Sequence, residues 1–311
     1  MSQVDVVIVN YNSAAHTAAC VEAVHRVARA DGMQVKVIVV NNRDNAEELE
    51  ASVHERGPAI CVHNDTNVGF GAACNQGAAL GDAPLILFLN PDALLHPGYF
   101  KHVVAFMAEP ANADIGILGP AIEGNDGRIA ETCAPLPTRI NLATRTLGLT
   151  RAFLPAGGHA HSGSVGQVMG AVLMIRRAVF SELGGFDARF FLYYEDVDLC
   201  ARAATRGYAT YYLTSARATH IGRVSSSQDT GMSLALFLRS RFTYARLHFG
   251  ILSEAILVLL SFVGELPLRL LATWVGRKSI TGIAVLRAYG LLLKSLITGV
   301  SPIRMSPARQ G

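Results

Sequence analysis

Val4-Asp5-Val6-Val7-Ile8-Val9-Asn10-Tyr11-Asn12-Ser13 opens with a β-branched run broken only by Asp5 and closes on a polar cluster. A short apolar run bounded by turn-forming residues predicts a strand buried on both faces. Ser13 offers an N-cap for a helix over Thr17–Arg29. The pattern then recurs. Val35–Val40 leads into Asn41-Asn42-Arg43-Asp44-Asn45 and a helix over Ala46–Arg56. Ala59–His63 leads into Asn64-Asp65-Thr66-Asn67 and a helix near Gly71–Leu80, and Leu85–Leu89 ends in Asn90-Pro91-Asp92. Strands alternating with helices predict an α/β fold, a mostly parallel sheet with helices on both faces. Ligands of such sheets bind beyond the carboxyl ends of the strands, where each of these polar clusters falls.

The 311 residues, 50% hydrophobic and 16% charged, are ample for one large domain or two ordinary ones. The net charge of +3 conceals an asymmetry. Residues 231–311 carry ten Arg and Lys against Glu254 and Glu265, a formal +8, while residues 1–230 carry 17 basic and 22 acidic residues, a formal −5. A basic, apolar tail without aromatic-basic interleaving points to a membrane surface and away from nucleic acid. Cys20, Cys61, Cys74, Cys133 and Cys200 form no C-x-x-C pair, which predicts reduced thiols in a cytosolic compartment and excludes a zinc knuckle. The chain enters a strand without a basic n-region or cleavage site, so it does not read as a secreted precursor.

Between Pro110 and Gly166 the periodicity fades, predicting irregular structure with a mobile segment around Leu154–Ser164. A strand over Val168–Ile175 and a short helix over Arg177–Leu183, stopped by Gly184-Gly185, follow. After Gly231 the chain predicts helices: Ser233–His248 with Arg239, Arg241 and Arg246 on its polar side, then the apolar stretches Ile251–Val275 and Ile280–Val300. Charges interrupt both stretches, so neither meets the spanning criterion cleanly, and helices lying in the membrane plane fit better. A buried hairpin or a homodimer interface is the alternative. The organisation is thus a catalytic region, 1–230, and a helical, membrane-associated segment, 231–311.

Four motifs carry chemistry. Tyr194-Glu195-Asp196-Val197-Asp198 places three carboxylates behind Phe191-Leu192-Tyr193, where apolar neighbours would raise a general base's pKa. An acidic helix N-terminus favoured by the macrodipole reads the same residues without chemistry. Asp92, just past a buried strand, suits a hard cation that takes one or two protein oxygens and keeps its waters, though Asn-Pro-Asp is also a plain turn. Asn67-Val68-Gly69-Phe70-Gly71 is a glycine-spaced loop entering a helix, which favours close approach of an anion but is not the dinucleotide fingerprint. His220, beyond a strand over Ala209–Leu213, sits beside Gly222, Arg223 and Ser225-Ser226-Ser227, a polar loop suited to phosphate and metal.

Taken in order, Ile8-Val9-Asn10-Tyr11-Asn12, the Asn67–Gly77 loop, Leu89-Asn90-Pro91-Asp92, Gly184-Gly185-Phe186-Asp187-Ala188-Arg189-Phe190-Phe191 and Tyr194–Leu199 resemble glycosyltransferase family 2, the inverting nucleotide-sugar transferases of GT-A fold. The likeness spans residues 4 to 227 and is strongest to the rhamnosyltransferase-like branch that builds bacterial surface polysaccharides. It implies a nucleoside-diphosphate sugar donor, dTDP-rhamnose among the candidates, a glycan or lipid-linked acceptor, a divalent cation (Mg²⁺ or Mn²⁺), and a peripheral place on the cytoplasmic face of the inner membrane. By the same likeness Val9, Tyr11, Asn41, Asn67, Gly69, Asn75 and Asn90 serve the donor. Asp92 and His220 hold metal, Asp196 is the base, and Glu195 and Asp187 orient the acceptor. The family's second strand usually ends Val-Asp-Asn; here it ends Val40-Asn41-Asn42, leaving a neutral carbonyl to accept from a pyrimidine ring N–H.

Two other functions compete. A sugar-nucleotide pyrophosphorylase would need a Gly-rich, basic loop after the first strand, where this chain has Asn10-Tyr11-Asn12-Ser13. A non-catalytic nucleotide-sugar-binding protein has no use for Asp92 and Asp196 together.

Overall fold

The computed structural model describes residues 3–43, 46–124, 126–149, 161–220, 229–274 and 280–305. The expected alternation opens it: β1 (Val4–Asn10), α1 (Ala14–Ala30), β2 (Val35–Asn41), α2 (Ala46–His54), β3 (Ile60–His63), α3 (Phe70–Ala78) and β4 (Leu85–Leu89). β5 (Ala93–Leu95), α4 (Tyr99–Ala108), β6 (Ile115–Glu123), β7 (Cys133–Ala134) and α5 (Arg139–Thr146) come next. Then follow β8 (Gly163–Val165), β9 (Gln167–Val168), β10 (Val172–Arg176), α6 (Arg177–Glu182), α7 (Glu195–Thr205) and β11 (Ala209–His220). The chain closes with α8 (Thr230–Phe249), α9 (Ile251–Leu260), a π-helical turn over Ser261–Glu265, α10 (Leu266–Trp274) and α11 (Gly282–Thr298).

The main sheet runs β3-β2-β1-β4-β10-β6-β11-β5, with β8 on β11. β1, β2, β3 and β4 are parallel, whereas β10 is antiparallel to both β4 and β6. The sheet is therefore mostly parallel, as expected, with antiparallel pairings entering at β10. Both faces of β1 are buried, as its unbroken β-branched run requires. Val6 and Ile8 join Val21 and Val24 of α1 in one core layer, and Val7 and Val9 join Ala73 and Cys74 of α3 in the other. Phe88 packs its ring against Phe180 and Phe186, 5.1 and 4.8 Å between centroids. Each such fully buried side chain contributes about 1.5–3 kcal/mol. Asp5, the one charge in β1, is buried and lies 2.5 Å from Arg177, which also donates to the carbonyls of Ala83 and Ala78.

Several boundaries differ from expectation. β6 lies inside the sheet within the stretch predicted to be irregular. The strand expected over Val168–Ile175 is broken at Met169-Gly170-Ala171 into β9 and β10, and β11 continues to His220. Ser13 stands at the N-cap of α1 without accepting from the helix; its hydroxyl donates to Asn10 Oδ1 at 3.0 Å. Of the segment Leu154–Ser164 expected to be mobile, residues 154–160 lie outside the described residues, as do Gly222, Arg223 and Ser225–Ser227.

Among the described residues the chain divides into two compact units. Residues 3–136, 161–188 and 195–220 make the sheet unit; 137–149, 189–194 and 229–305 make a helical one. The helical unit thus takes in α5 and the aromatic row before Glu195. Tyr194 stacks against Phe237 and Tyr244 of α8 (5.6 and 5.5 Å), and Ser240 donates to the Leu192 carbonyl at 2.8 Å. Tyr193 and Tyr194 both carry positive φ, 70° and 67°, rare for bulky residues. Arg241, expected on a polar face, is buried at 3% exposure on Glu265. The Ile251–Trp274 run is one helix, by length and composition alone sufficient to cross a membrane, and its acids Glu254 and Glu265 are buried.

Candidate active site

The carboxyl end of β4 and the start of β10 meet because the two strands run opposite ways, with Leu89 in register with Val172. The Asn90 N–H donates to the Ala171 carbonyl at 2.8 Å. One residue earlier, the Gly170 N–H donates to Asp196 Oδ2 at 2.7 Å. The break between β9 and β10 therefore ties the first turn of α7 to the Asn90-Pro91-Asp92 turn through the backbone of two successive residues, Gly170 and Ala171. A Cβ on Gly170 would lie 3.1 Å from Asp196 Oδ2, so glycine is what admits this approach.

Asp92 and His220 meet by a second register. β5 starts directly after Asp92 and pairs antiparallel with the end of β11, His220 opposite Ala93. His220 Nε2 lies 3.1 Å from Asp92 Oδ1 and 3.5 Å from Asn90 Nδ2. Cys20 of α1 reaches the same turn, 3.4 Å from the Ala93 carbonyl and 3.7 Å from that of Asn90. All five cysteines are free thiols; burial raises the pKa of Cys20 and Cys74, brings Cys200 to about 12 and Cys61 to about 11. No cluster of three or more His, Cys, Asp or Glu side chains occurs among the described residues. A carboxylate and an imidazole fit a hard divalent cation that retains water and takes its other oxygens from a diphosphate.

The three carboxylates of α7 separate by environment. Asp196 is half-buried and accepts from two backbone N–H groups, Gly170 on Oδ2 and Val197 on Oδ1 (2.8 Å). Burial raises its pKa above the ordinary 3.8, and those two hydrogen bonds oppose the rise. Glu195 is 6% exposed and its Oε2 is buried without a hydrogen-bond partner among the described residues. Burial first, then the Asp196 charge, pushes its pKa well above 4.5. The Glu195 side chain lies beside α3, its Cβ 3.6 Å from where a Cβ on Gly71 would stand. The Glu195 carboxyl, expected to orient an acceptor, is thus enclosed within the sheet unit. Asp198 is buried 2.7 Å from Arg202, whose other nitrogens donate to the Leu183 and Gly185 carbonyls, so it braces the Gly184-Gly185 turn.

The donor-side residues line the carboxyl ends of β1, β2 and β3. Val9 is buried in β1, and Tyr11 follows it, half-buried. Asn12, at φ 55°, accepts from Arg43 and ties the two loops. Asn41 is fully buried: its carbonyl oxygen accepts from Asn10 Nδ2 at 2.8 Å, its amide donates to the Arg43 carbonyl at 2.8 Å, and His63 Nδ1 lies 3.4 Å away. The oxygen expected to meet a pyrimidine N–H thus also accepts from Asn10, so Asn41 braces Asn10 as well. Asn67 Oδ1 accepts from the Gly69 N–H at 2.9 Å, shaping the turn into α3, with Gly69 at φ 94°. Asn75 brackets Phe186, accepting from its N–H at 2.9 Å and donating to its carbonyl at 2.8 Å. It therefore positions the half-buried Asp187 that follows, where donor contact was expected.

Tyr193 and Tyr194, expected to shield the base, pack their rings on Phe237. Sequence reasoning also missed Gly170, Asn10 and Cys20. Gly170 left a signal, a lone glycine inside a strand pattern, which marks a bulge or a close backbone approach.

Residues 2–242 match the family described as glycosyltransferase like family 2. The N-acetylglucosaminyl-diphospho-decaprenol L-rhamnosyltransferase of Mycobacterium tuberculosis is 28% identical over 229 residues, 68% of this chain and 74% of that protein. Rhamnosyltransferase WbbL of Escherichia coli is 24% identical over 226 residues, 69% and 83% of the two chains. The mannosyltransferase PcManGT from Pyrobaculum calidifontis, solved with GDP-Man and Mn²⁺, superposes with a TM-score of 0.54 at 15% identity over 97% of this chain and 77% of its own. The architecture is of GT-A type.

Proposed function

From its membership of glycosyltransferase family 2, to which the chain belongs, we propose that it moves one sugar from a nucleoside diphosphate to an acceptor hydroxyl with inversion. The donor is dTDP-rhamnose, and the acceptor a lipid-linked glycan of bacterial surface-polysaccharide synthesis, presented at the cytoplasmic face of the inner membrane. Similarity to two rhamnosyltransferases, one named for a diphospho-decaprenol substrate, supports both choices. The observation that carries the reading is the backbone bridge from Asp196 through Gly170 and Ala171 to Asn90.

Asp196 is the general base. Its Oδ2 and Oδ1 are aimed by the Gly170 and Val197 amides, and its raised pKa brings its basicity toward that of a working proton acceptor. As it takes the acceptor proton, the hydroxyl oxygen bonds to the anomeric carbon and the bond to the diphosphate oxygen breaks, its electrons leaving with the nucleotide. One displacement inverts the centre. Val9, Tyr11, Asn67, Gly69 and Asn90 receive the donor, with Asn41 holding Asn10 in place. Asp187, set by the Asn75 bracket, meets the acceptor. Asp92 and His220 would hold a divalent cation, which neutralises charge on the departing diphosphate when bound.

Thermal shift of the full chain against a panel of nucleotide sugars, with Mg²⁺ or Mn²⁺, tests the donor. A ligand at a hundred times its Kd stabilises by about 2.7 kcal/mol. The transferred sugar should carry the inverted anomeric configuration by NMR. Retention, or turnover without nucleotide release, refutes the reading.

A further inference from the structure

The buried stripe of α1 is polar where it passes the strand ends and apolar beyond them. Ser13, Thr17 and Cys20 follow one another at helical spacing, and Val21, Val24 and Val27 continue the same side as plain core. Ser13 and Thr17 donate to Asn10 Oδ1, at 3.0 and 2.9 Å, at the end of β1. Cys20, fully buried about one turn on, aims its sulfur at the end of β4 instead. It lies 3.4 Å from the Ala93 carbonyl and 3.7 Å from that of Asn90. Burial first, then the Asp92 charge, raises the pKa of this thiol, so the sulfur keeps its proton and donates.

The two carbonyls belong to the first and last residues of the turn that carries Asp92. That turn closes through the Ala93 N–H, which donates to the Asn90 carbonyl at 3.0 Å, and Pro91 brings no N–H of its own. One sulfur therefore faces both ends of the turn from below. On its other side Asp92 Oδ1 stands 3.1 Å from His220 Nε2. Adjacent ligands of an octahedral cation with bonds of about 2.1 Å lie about 3.0 Å apart. The carboxylate and the imidazole are already at that spacing, and they keep it only while the turn stays in place against β11.

We propose that Cys20 is a positioning residue for the divalent cation: its thiol fixes the Asn90–Ala93 turn to α1 and so holds Asp92 at ligating distance from His220. The proposal rests on the cation reading of Asp92 and His220 given above. A plain apolar side chain at position 20 would fill the same space and leave the turn free to shift.

Mn²⁺ binding to the full chain is the test, with free Mn²⁺ read from its EPR signal. Cys20→Ala removes the donor and should raise the Mn²⁺ Kd about tenfold, the low end of the loss when groups behind a metal's ligands are removed. Cys20→Ser keeps a donor and should bind within about threefold of wild type. Packing alone predicts no such rescue, because a buried serine adds a hydroxyl to desolvate and fills less space than the thiol. Both substitutions lower the melting temperature, so affinity rather than stability is the readout. A Cys20→Ala variant with wild-type Kd, or a Cys20→Ser variant no tighter than Cys20→Ala, overturns the role of Cys20 alone. A wild type that binds no Mn²⁺, or whose binding survives Asp92→Ala, overturns the cation reading and this inference with it.

Discussion

Gly170→Ala tests the bridge without removing any functional group. Gly170 does not occupy the left-handed region, so the backbone tolerates alanine and only the contact resists it. The added methyl would stand 3.1 Å from Asp196 Oδ2, 3.2 Å from its Cβ and 3.4 Å from its Cγ, so the carboxylate must retreat by a few tenths of an ångström. That stretches the 2.7 Å hydrogen bond from the Gly170 amide. Bonds to charged groups contribute about 1.5–3 kcal/mol, so losing the weaker end of that range at the aimed carboxylate costs about tenfold in kcat. Donor KM should stay within about twofold, because the substitution leaves the donor-side loops untouched. The amide favours the ionised form of Asp196, so weakening it moves the acid limb of the pH–rate profile to higher pH. Steady-state kinetics across pH, beside a thermal melt, is the assay. Wild-type kcat with an unmoved limb would refute the claim that Gly170 aims the base.

Asp196→Asn should lower kcat by about 10²–10⁴. An amide has one acceptor where the carboxylate meets two backbone donors, so this variant should also lose about 1–3 kcal/mol of stability in urea; near-normal turnover would remove Asp196 as the base. Glu195→Gln tests the buried acid. Its pKa is raised on folding, so its stabilising contribution is full below 4.5 and fades as pH rises through the raised value. Wild-type stability should fall over that window while Glu195→Gln stays flatter; parallel curves would contradict the assignment. Arg202→Ala takes the guanidinium from buried Asp198 and the donors from the Leu183 and Gly185 carbonyls, and should cost about 3–5 kcal/mol by chemical denaturation, with a loss under about 1 kcal/mol counting against the brace.

β1, β2 and β4 were legible because each is an apolar run, interrupted at most by one charge (Asp5, Lys36), whose two faces both reach a core layer. β6 was not, and its own packing explains why. Gly119 is glycine because a Cβ would come 2.7 Å from Val168, and Gly116 because one would come 3.0 Å from Tyr208. Pro120 brings no N–H to the ladder, and the register with β11 slips between Leu213 and Arg217 just as it passes Pro120. Residues that normally punctuate loops sit there to permit close contact. At the site, Asp92, His220 and Asp196 announce themselves by type, whereas Gly170 acts through an amide every residue possesses. The structural bonds of Asn41 and Asn75 were not legible, because a polar side chain at a strand or helix end reads alike whether it faces a ligand or another backbone.

The reversed direction of β10 bears on the order in which the protein folds. β1, β2, β3 and β4 find their partners from nearby segments, but the catalytic contacts span great lengths of chain: 111 residues from Asn75 to Phe186 and 128 from Asp92 to His220. Closing such loops is entropically costly and slow, so the nucleotide side matures first and the acceptor side condenses onto it. A nascent chain ending before Gly170 holds β1 to β4 yet has neither the base nor the partner of Asp92. Pulsed hydrogen exchange during refolding should protect the amides of β1 and β2 before that of Gly170, and simultaneous protection would contradict this order. On the role proposed for Asp196, no acceptor hydroxyl can be activated until almost all of the sheet unit has been synthesised and closed.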